Sequence, residues 1–91
     1  MLYVVSYDIP DDGRRLAVAK TLLDYGQRVH YSVFECLMDE VLLAELVGRL
    51  EGSIEDDEDS IRIYTICARC EKETRIIGKG VVVRDPEVYI L

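Results

Sequence analysis

The chain has 91 residues, which is enough for one small domain, and 49% of them are hydrophobic while 32% are charged. That composition is typical of a folded globular protein and excludes a disordered tail. The formal net charge of −7 argues against a broad basic surface that grips nucleic acid. A domain of this size buries only about 60–65% of the surface of its unfolded chain, so we expect a homodimer.

Hydropathy and cysteine content bear on the compartment. The apolar runs are far shorter than the roughly 18 residues of a membrane span, and the N-terminal residues show neither a basic region nor a cleavage site. The three cysteines, Cys36, Cys67 and Cys70, form an odd set, which favours reduced thiols over a disulfide framework. We therefore expect a cytoplasmic protein that makes no contact with a membrane.

The first predicted elements are a strand over residues 1–8 and a helix after it. Both alternating sets of the strand carry apolar surface, so we expect both of its faces to be covered. Either Asp11 or Asp12 can cap the helix, and Gly26 is predicted to end it in a left-handed conformation. The predicted apolar face of this helix consists of Leu16, Ala19, Leu22 and Leu23.

Residues 28–37 alternate in polarity and form either one long strand or two short strands kinked near Tyr31 and Ser32. The set predicted to face the core is Val29, Tyr31, Val33 and Leu37. The opposite set, predicted as a mixed functional or interface face, is Arg28, His30, Ser32, Phe34 and Cys36.

The second half of the chain is predicted to begin with a helix that Asp39 caps and that ends at Gly52. The acidic block at residues 55–59 is interpreted as a solvated loop. A strand over residues 60–67 follows, and further short strands are predicted at residues 76–83 and about 87–91.

This order of elements predicts the α+β class, with a single domain over residues 1–91. The expected architecture is a ferredoxin-like βαββαβ sandwich with an extra C-terminal strand and both helices on one face of an antiparallel sheet. The other face would be left bare, so we expect a second subunit to cover it through a two-fold axis.

Asp8 is the sharpest candidate for chemistry, because a carboxylate at a rigid strand end is how Mg²⁺ or Mn²⁺ ligands are often presented. On the residues alone, the commoner use of such an aspartate is to cap a turn. Two copies of Asp8 across a dimer axis would supply the pair of carboxylates that one chain lacks. Arg15 and Arg28 could then flank a phosphodiester held there. The alternative is that Arg14 and Arg15, at the start of the first helix, are surface arginines that pair with Asp11, Asp12 or Asp24.

Four further residues have both a structural and a chemical interpretation. His30, the single histidine, serves either as a structural residue, which is the commoner case, or as a proton shuttle. Ser32 would hydrogen-bond substrate or strand backbone. Cys67 and Cys70 have the spacing of a zinc or redox pair, but one pair supplies only two thiolates and no helix is predicted to begin there, so we interpret them as two cysteines without a cofactor.

The segments VVSYDIPDD, GQRVHYSVFEC and IRIYTI resemble, in order and spacing, the Cas2 family of small CRISPR-associated proteins, and the resemblance runs over nearly the whole chain. It implies a ferredoxin-like homodimer that binds a divalent metal, Mg²⁺ or Mn²⁺, at the strand-end aspartates. Asp8 corresponds to the family's metal-binding and catalytic aspartate. The residues at positions that the family associates with activity or substrate contact are Tyr7, Arg15, Arg28, Ser32 and Phe34.

The resemblance also implies two different functions. One is metal-dependent endonuclease activity on RNA or DNA; the other is a non-catalytic adaptor that bridges dimers of the spacer integrase and holds spacer DNA. The terminal residues 88–91 correspond to the strand that family members add to the partner's sheet. The chain departs from many relatives in its acidic balance and in having His30 where an amide is common.

Overall fold

The computed structural model describes residues 1–82. The elements in chain order are β1 (Leu2–Asp8), α1 (Asp12–Leu23), β2 (Gln27–His30), β3 (Val33–Leu37), α2 (Glu40–Glu51), β4 (Ser60–Ile66) and α3 (Ala68–Lys72). This order confirms the predicted βαββαβ arrangement. The predicted strand at about residues 87–91 lies outside the described residues, as does the addition of that strand to a partner. None of the helices in the described range has the length and apolar character needed to cross a membrane.

The four strands form one antiparallel sheet in the order β2-β3-β1-β4. Side chains of β1 that point to one face, Tyr3, Val5 and Tyr7, are each at most 5% exposed, and they pack in one cluster with buried residues of both helices. The helices therefore cover the same face of the sheet. The opposite face of β1 carries Val4 and Ser6, which are only half-buried in a single chain.

A turn at residues 31–32 divides the predicted segment 28–37 into β2 and β3, which confirms the interpretation as two short strands. The predicted core face was wrong. Phe34 pairs with Val5 and Cys36 pairs with Tyr3 across the ladder, so both lie on the helix-facing side and are fully buried. The ladder between β2 and β3 is irregular between Arg28 and His30, so the polarity pattern of β2 does not continue in register into β3.

Helix α1 begins as predicted, because the Asp11 carboxylate accepts a hydrogen bond from the backbone N–H of Arg14 at 2.8 Å. Its predicted apolar face was partly wrong, since Leu16 is 56% exposed and Leu23 is 61% exposed. The buried residues of α1 are Val18, Ala19, Thr21 and Leu22.

Gly26 is required for a different reason from the one predicted. Among the described residues, only Gly78 and Gly80 have a positive φ, so Gly26 is not left-handed. A Cβ atom at Gly26 would lie 2.3 Å from the backbone oxygen of Glu35 and 2.5 Å from Sγ of Cys36. The glycine therefore allows the chain after α1 to approach β3 closely.

The remaining elements follow the predicted pattern with two differences. Asp39 caps α2 through a 2.8 Å hydrogen bond from Leu42 N–H, and the helix ends at Gly52 as expected. Residues 76–82 do not form the predicted strand, since Gly78 and Gly80 adopt positive φ values of 93° and 149°. Helix α3, which the sequence did not predict, begins directly after Cys67.

The acidic block is not wholly a solvated loop. The side chain of Asp59 is fully buried; it accepts a 2.7 Å hydrogen bond from Nε of Arg14 and a 2.9 Å bond from Glu55 N–H. Arg14 also pairs with Glu58 at 2.8 Å. This cluster joins the start of α1 to the loop before β4, and the Arg14 bond lowers the pKa of Asp59.

Candidate functional site

Asp8 is the last residue of β1, and its side chain is exposed on the sheet face opposite the helices. It lies in a cleft of about 250 Å³ between the ends of β1 and β4. The residues that line this cleft are Ser6, Tyr7, Asp8, Ser60, Arg62 and Tyr64. We call it the Asp8 cleft.

The register of β1 and β4 decides which side chains join Asp8. Asp8 pairs with Ser60 and Ser6 pairs with Arg62, so Arg62 is the diagonal neighbour of Asp8 on the same face. Diagonal neighbours in an antiparallel pair lie about 7–8 Å apart, which is within the reach of an arginine side chain. A hydrogen bond with Tyr64 raises the pKa of Arg62. The register therefore places a positively charged residue, whose side chain is bonded to Tyr64, on the same face as Asp8 and lining the same cleft.

Sequence reasoning missed Arg62 and Tyr64 as members of the site. The signal was present in the alternation of β4, which places both residues opposite the core-facing Ile61 and Ile63. The pattern of one strand does not show which residues of a neighbouring strand lie beside it. Only the register places them beside Asp8.

A second cleft, of about 410 Å³, lies on the helix side of the sheet. The residues that line it are Tyr7, Asp12, Arg15, Leu16, Ala19, Arg28, Tyr31 and Ser32. We call it the arginine cleft. It brings together four of the residues that the resemblance singles out, namely Tyr7, Arg15, Arg28 and Ser32.

The hydroxyl of Tyr7 organises the arginine cleft. It donates to the backbone oxygen of Tyr31 at 3.1 Å and accepts from Nη2 of Arg28 at 3.4 Å. The guanidinium of Arg28 lies 5.3 Å from the centre of the Phe34 ring, within the range of a cation–π contact. Phe34 itself is fully buried, so its ring contacts Arg28 but has no exposed surface that a ligand could reach.

Arg14 and Arg15 are adjacent in sequence but differ in their contacts. Arg14 is held by the acidic side chains of Asp59 and Glu58, as described above. Arg15 donates from Nη1 to the backbone oxygen of Ile9 at 3.0 Å and from Nη2 to the Asp12 carboxylate. Since Arg15 remains exposed and lines a cleft, it is the one of the two that is accessible to a ligand.

The structure places the candidate residues in two groups within one chain. Asp8 lies in one cleft, Arg15, Arg28 and Ser32 line the other, and Tyr7 lines both because it is next to Asp8 at the end of β1. The cation that the register places nearest to Asp8 is Arg62, which is neither of the two arginines, Arg15 and Arg28, predicted from the sequence. His30 is exposed at the end of edge strand β2.

The acidic groups determine what metal site one chain can form. Within residues 1–82, no group of three or more histidine, cysteine, aspartate or glutamate side chains is arranged to hold a metal ion. Asp8 therefore offers a single carboxylate, together with the Ser6 and Ser60 hydroxyls that line the cleft. Mg²⁺ fits such a site when waters and substrate phosphate oxygens complete its coordination.

The architecture defines a ferredoxin-like α+β domain with an exposed strand-end aspartate. The model of the family described as CRISPR associated protein Cas2 matches residues 1–74. The chain belongs to the Cas2 family.

Similar proteins cover nearly the whole chain. "CRISPR-associated endoribonuclease Cas2 1" of Chloroflexus aurantiacus is 48% identical over 81 residues, which are 88% of this chain and 87% of that protein. "CRISPR-associated endonuclease Cas2 2" of Thermus thermophilus is 42% identical over 90 residues, with 99% and 96% covered. The crystal structure of Streptococcus pyogenes Cas2 at pH 6.5 matches with a TM-score of 0.76 and 34% identity, covering 86% of this chain and 100% of that one.

Proposed function

We propose that this chain is a CRISPR-associated endonuclease of spacer acquisition that hydrolyses phosphodiester bonds in RNA or DNA at the Asp8 cleft. The observation that carries the proposal is an exposed carboxylate at a rigid strand end, with the Arg62 guanidinium as its diagonal neighbour. A carboxylate can hold a metal ion, and a guanidinium recognises a phosphate group through paired hydrogen bonds. The names of the similar nucleases agree with this chemistry.

The metal that the family implies is Mg²⁺ or Mn²⁺, and Asp8 would hold it. When bound, such an ion activates a water molecule and stabilises negative charge on the phosphorus centre. Arg62 would orient the phosphate, and Tyr64 would hold Arg62 in position through their hydrogen bond. The arginine cleft would bind the nucleic-acid strand next to the cleaved bond, and the Tyr7 hydroxyl would position Arg28 there.

The active form would be a homodimer in which two copies of Asp8 approach each other across a two-fold axis. The sheet face opposite the helices supports this arrangement, because it carries half-buried Val4, Leu37 and Ile66 and the 48% exposed ring of Tyr64. A second copy packed on that face would cover these side chains and supply the second carboxylate. Two carboxylates brought together in this way repel each other without a cation, so metal binding would also favour the dimer.

The test is cleavage of labelled single-stranded RNA and duplex DNA by wild type and Asp8→Asn, with Mg²⁺, with Mn²⁺ and with EDTA. We expect the asparagine variant to lose at least about 100-fold in rate, because it removes the charged metal ligand and changes little in shape. Asp56→Asn, which changes an exposed acidic residue in the loop before β4, is the matched control and should cleave like wild type. Cleavage by Asp8→Asn at the wild-type rate would remove Asp8 from the mechanism.

The second candidate function is a non-catalytic adaptor that bridges dimers of the spacer integrase. The observation that favours it is the edge of β4, which among residues 1–82 pairs with β1 on one side only and borders an apolar groove of about 210 Å³. An extended segment of a partner can add to such an edge as a further strand. Residues that line the groove are Val47, Leu50, Glu51, Ile54, Ile61 and Ile63.

Size-exclusion chromatography with the integrase of the same CRISPR locus separates the two functions. If neither wild type nor Asp8→Asn cleaves nucleic acid and both elute with the integrase, the adaptor function is supported and the nuclease function is not. If only wild type cleaves, the nuclease function stands, and co-elution of both proteins then shows that the chain has both roles.

A further inference from the structure

Two exposed cysteines lie where β4 ends and α3 begins. Cys67 is the residue that precedes the first turn of α3, and Cys70 lies within that turn. Residues three apart in a helix have Cα atoms about 5 Å apart, from the rise and radius of the helix. That separation is inside the range of about 4.4–6.8 Å that a disulfide bond spans. The backbone therefore holds the two sulfur atoms within bonding reach.

The two thiols also differ chemically. Hydrogen bonds from the Cys70 backbone and side chain lower the pKa of Cys67, whereas its bond with Cys67 raises the pKa of Cys70. The sulfur that is more readily deprotonated attacks a disulfide, and the neighbouring thiol then displaces the first product. Cys67 has the character of the attacking group, and Cys70 has that of the resolving group.

The third cysteine, Cys36, differs from this pair in its burial and in its pKa. Cys36 is fully buried on β3, and burial raises its pKa to about 11. It is therefore shielded from oxidants and is a poor nucleophile at neutral pH. Within residues 1–82, no third histidine, cysteine or carboxylate joins the Cys67–Cys70 pair as a metal site. Disulfide formation needs only two neighbouring exposed thiols from the protein and an external oxidant to accept the two electrons.

We propose that Cys67 and Cys70 form a dithiol–disulfide couple that is oxidised by a low-molecular-weight disulfide such as oxidised glutathione. The Cys67 thiolate attacks one sulfur of the oxidant, breaks its S–S bond and releases one glutathione thiolate. Cys70 then loses its proton and attacks Sγ of Cys67, which releases the second glutathione. Two protein thiols lose two electrons and two protons, and one oxidised glutathione becomes two reduced molecules.

This couple is independent of the proposed nuclease function. Asp8 pairs with Ser60 at the start of β4, whereas Cys67 follows the last residue of that strand. Seven residues of extended strand separate the two ends by roughly 20 Å. Oxidation can therefore be measured whether or not the chain cleaves nucleic acid.

The test is to incubate the purified chain with oxidised glutathione, count the remaining thiols and map the modified cysteines by mass spectrometry of peptides. We expect the loss of two of the three thiols, a Cys67–Cys70 disulfide within one chain, and an unmodified Cys36. Cys70→Ser should lose one thiol only and retain glutathione on Cys67. Cys67→Ser should likewise lose one thiol only and retain glutathione on Cys70.

Three results would overturn the proposal: free thiols at both positions, glutathione retained on both cysteines of the wild-type chain, or a disulfide that joins two chains. The mapping is made on wild type, so it does not depend on the folding of either variant. Subsequent reduction by dithiothreitol should restore all of the lost thiols.

Discussion

Asp8 and Asp59 lie at the same end of neighbouring strands, since Asp8 pairs with Ser60 and Asp59 is the residue before it. The Asp59 side chain is fully buried and accepts hydrogen bonds from Arg14 and from the Glu55 N–H. The Asp8 side chain is exposed, and within residues 1–82 it has no ion pair or side-chain hydrogen bond.

The difference between these two aspartates separates a carboxylate that is used within the fold from one that is accessible to a ligand. A buried carboxylate is tolerated only with hydrogen-bonding partners, and the partners of Asp59 belong to the same chain. An exposed carboxylate in a cleft keeps its oxygen atoms available for a cation or a substrate. Residue type is the same in both cases, so burial and partners determine the role.

The largest expected effect on stability comes from Asp59→Asn. Replacing the buried carboxylate removes the charge that Arg14 faces, and we expect Tm to fall by about 10 °C. Cleavage per folded molecule, measured well below Tm, should stay near the wild-type value. Asp8→Asn should do the reverse, with Tm within about 2 °C of wild type and cleavage lost. Circular dichroism measures Tm for both variants. Equal falls of Tm would contradict the conclusion that Asp59, and not Asp8, stabilises the fold.

Low pH should reduce the contribution that the Asp59–Arg14 pair makes to the free energy of unfolding. The Arg14 hydrogen bond lowers the pKa of Asp59 in the folded chain below its ordinary value of 3.8. The folded state therefore binds this proton less readily than the unfolded state does. Stability from the pair is complete above the unfolded pKa and is lost as the pH falls through the folded pKa.

Urea midpoints of wild type and Asp59→Asn measure this loss. The gap between the two midpoints should be widest at about pH 6 and should shrink towards about pH 3. A gap that does not change with pH would mean that the charge of Asp59 contributes nothing to folding, and that the variant is destabilised only through packing.

A smaller effect distinguishes Arg14 from Arg15. Arg14→Lys keeps a positive charge but loses the two-pronged contact with Asp59, so we expect a fall in Tm of about 5 °C. Arg15→Lys changes an exposed side chain that bonds to Asp12 and to the backbone oxygen of Ile9, and it should shift Tm by less than about 2 °C. Thermal unfolding of the two variants side by side measures the difference. Similar shifts would show that burial of the partner carboxylate does not set the strength of the contact.

Local patterns predicted most of the elements of the fold correctly. The polarity of residues 1–8, the capping aspartates Asp11 and Asp39, and the alternation around Ile61 and Ile63 each describe an element through contacts close in sequence. The errors arose where contacts between residues far apart in the sequence determine which side chains are buried. Phe34 and Cys36 belong to the core because they pair with β1, and Gly26 is needed because β3 passes close to it.

The candidate site shows the same division. From the residues alone we could predict that a carboxylate ends the first strand, that arginines follow it and that two cysteines have the CxxC spacing, but not that a helix begins between these cysteines. The folded structure was needed to place Arg62 diagonally from Asp8, to put Arg15 and Arg28 on the other side of the sheet and to show that Asp59 is buried against Arg14. The physical reason is that strand register and helix packing join residues far apart in the chain, and those contacts leave no periodic signal in either segment alone.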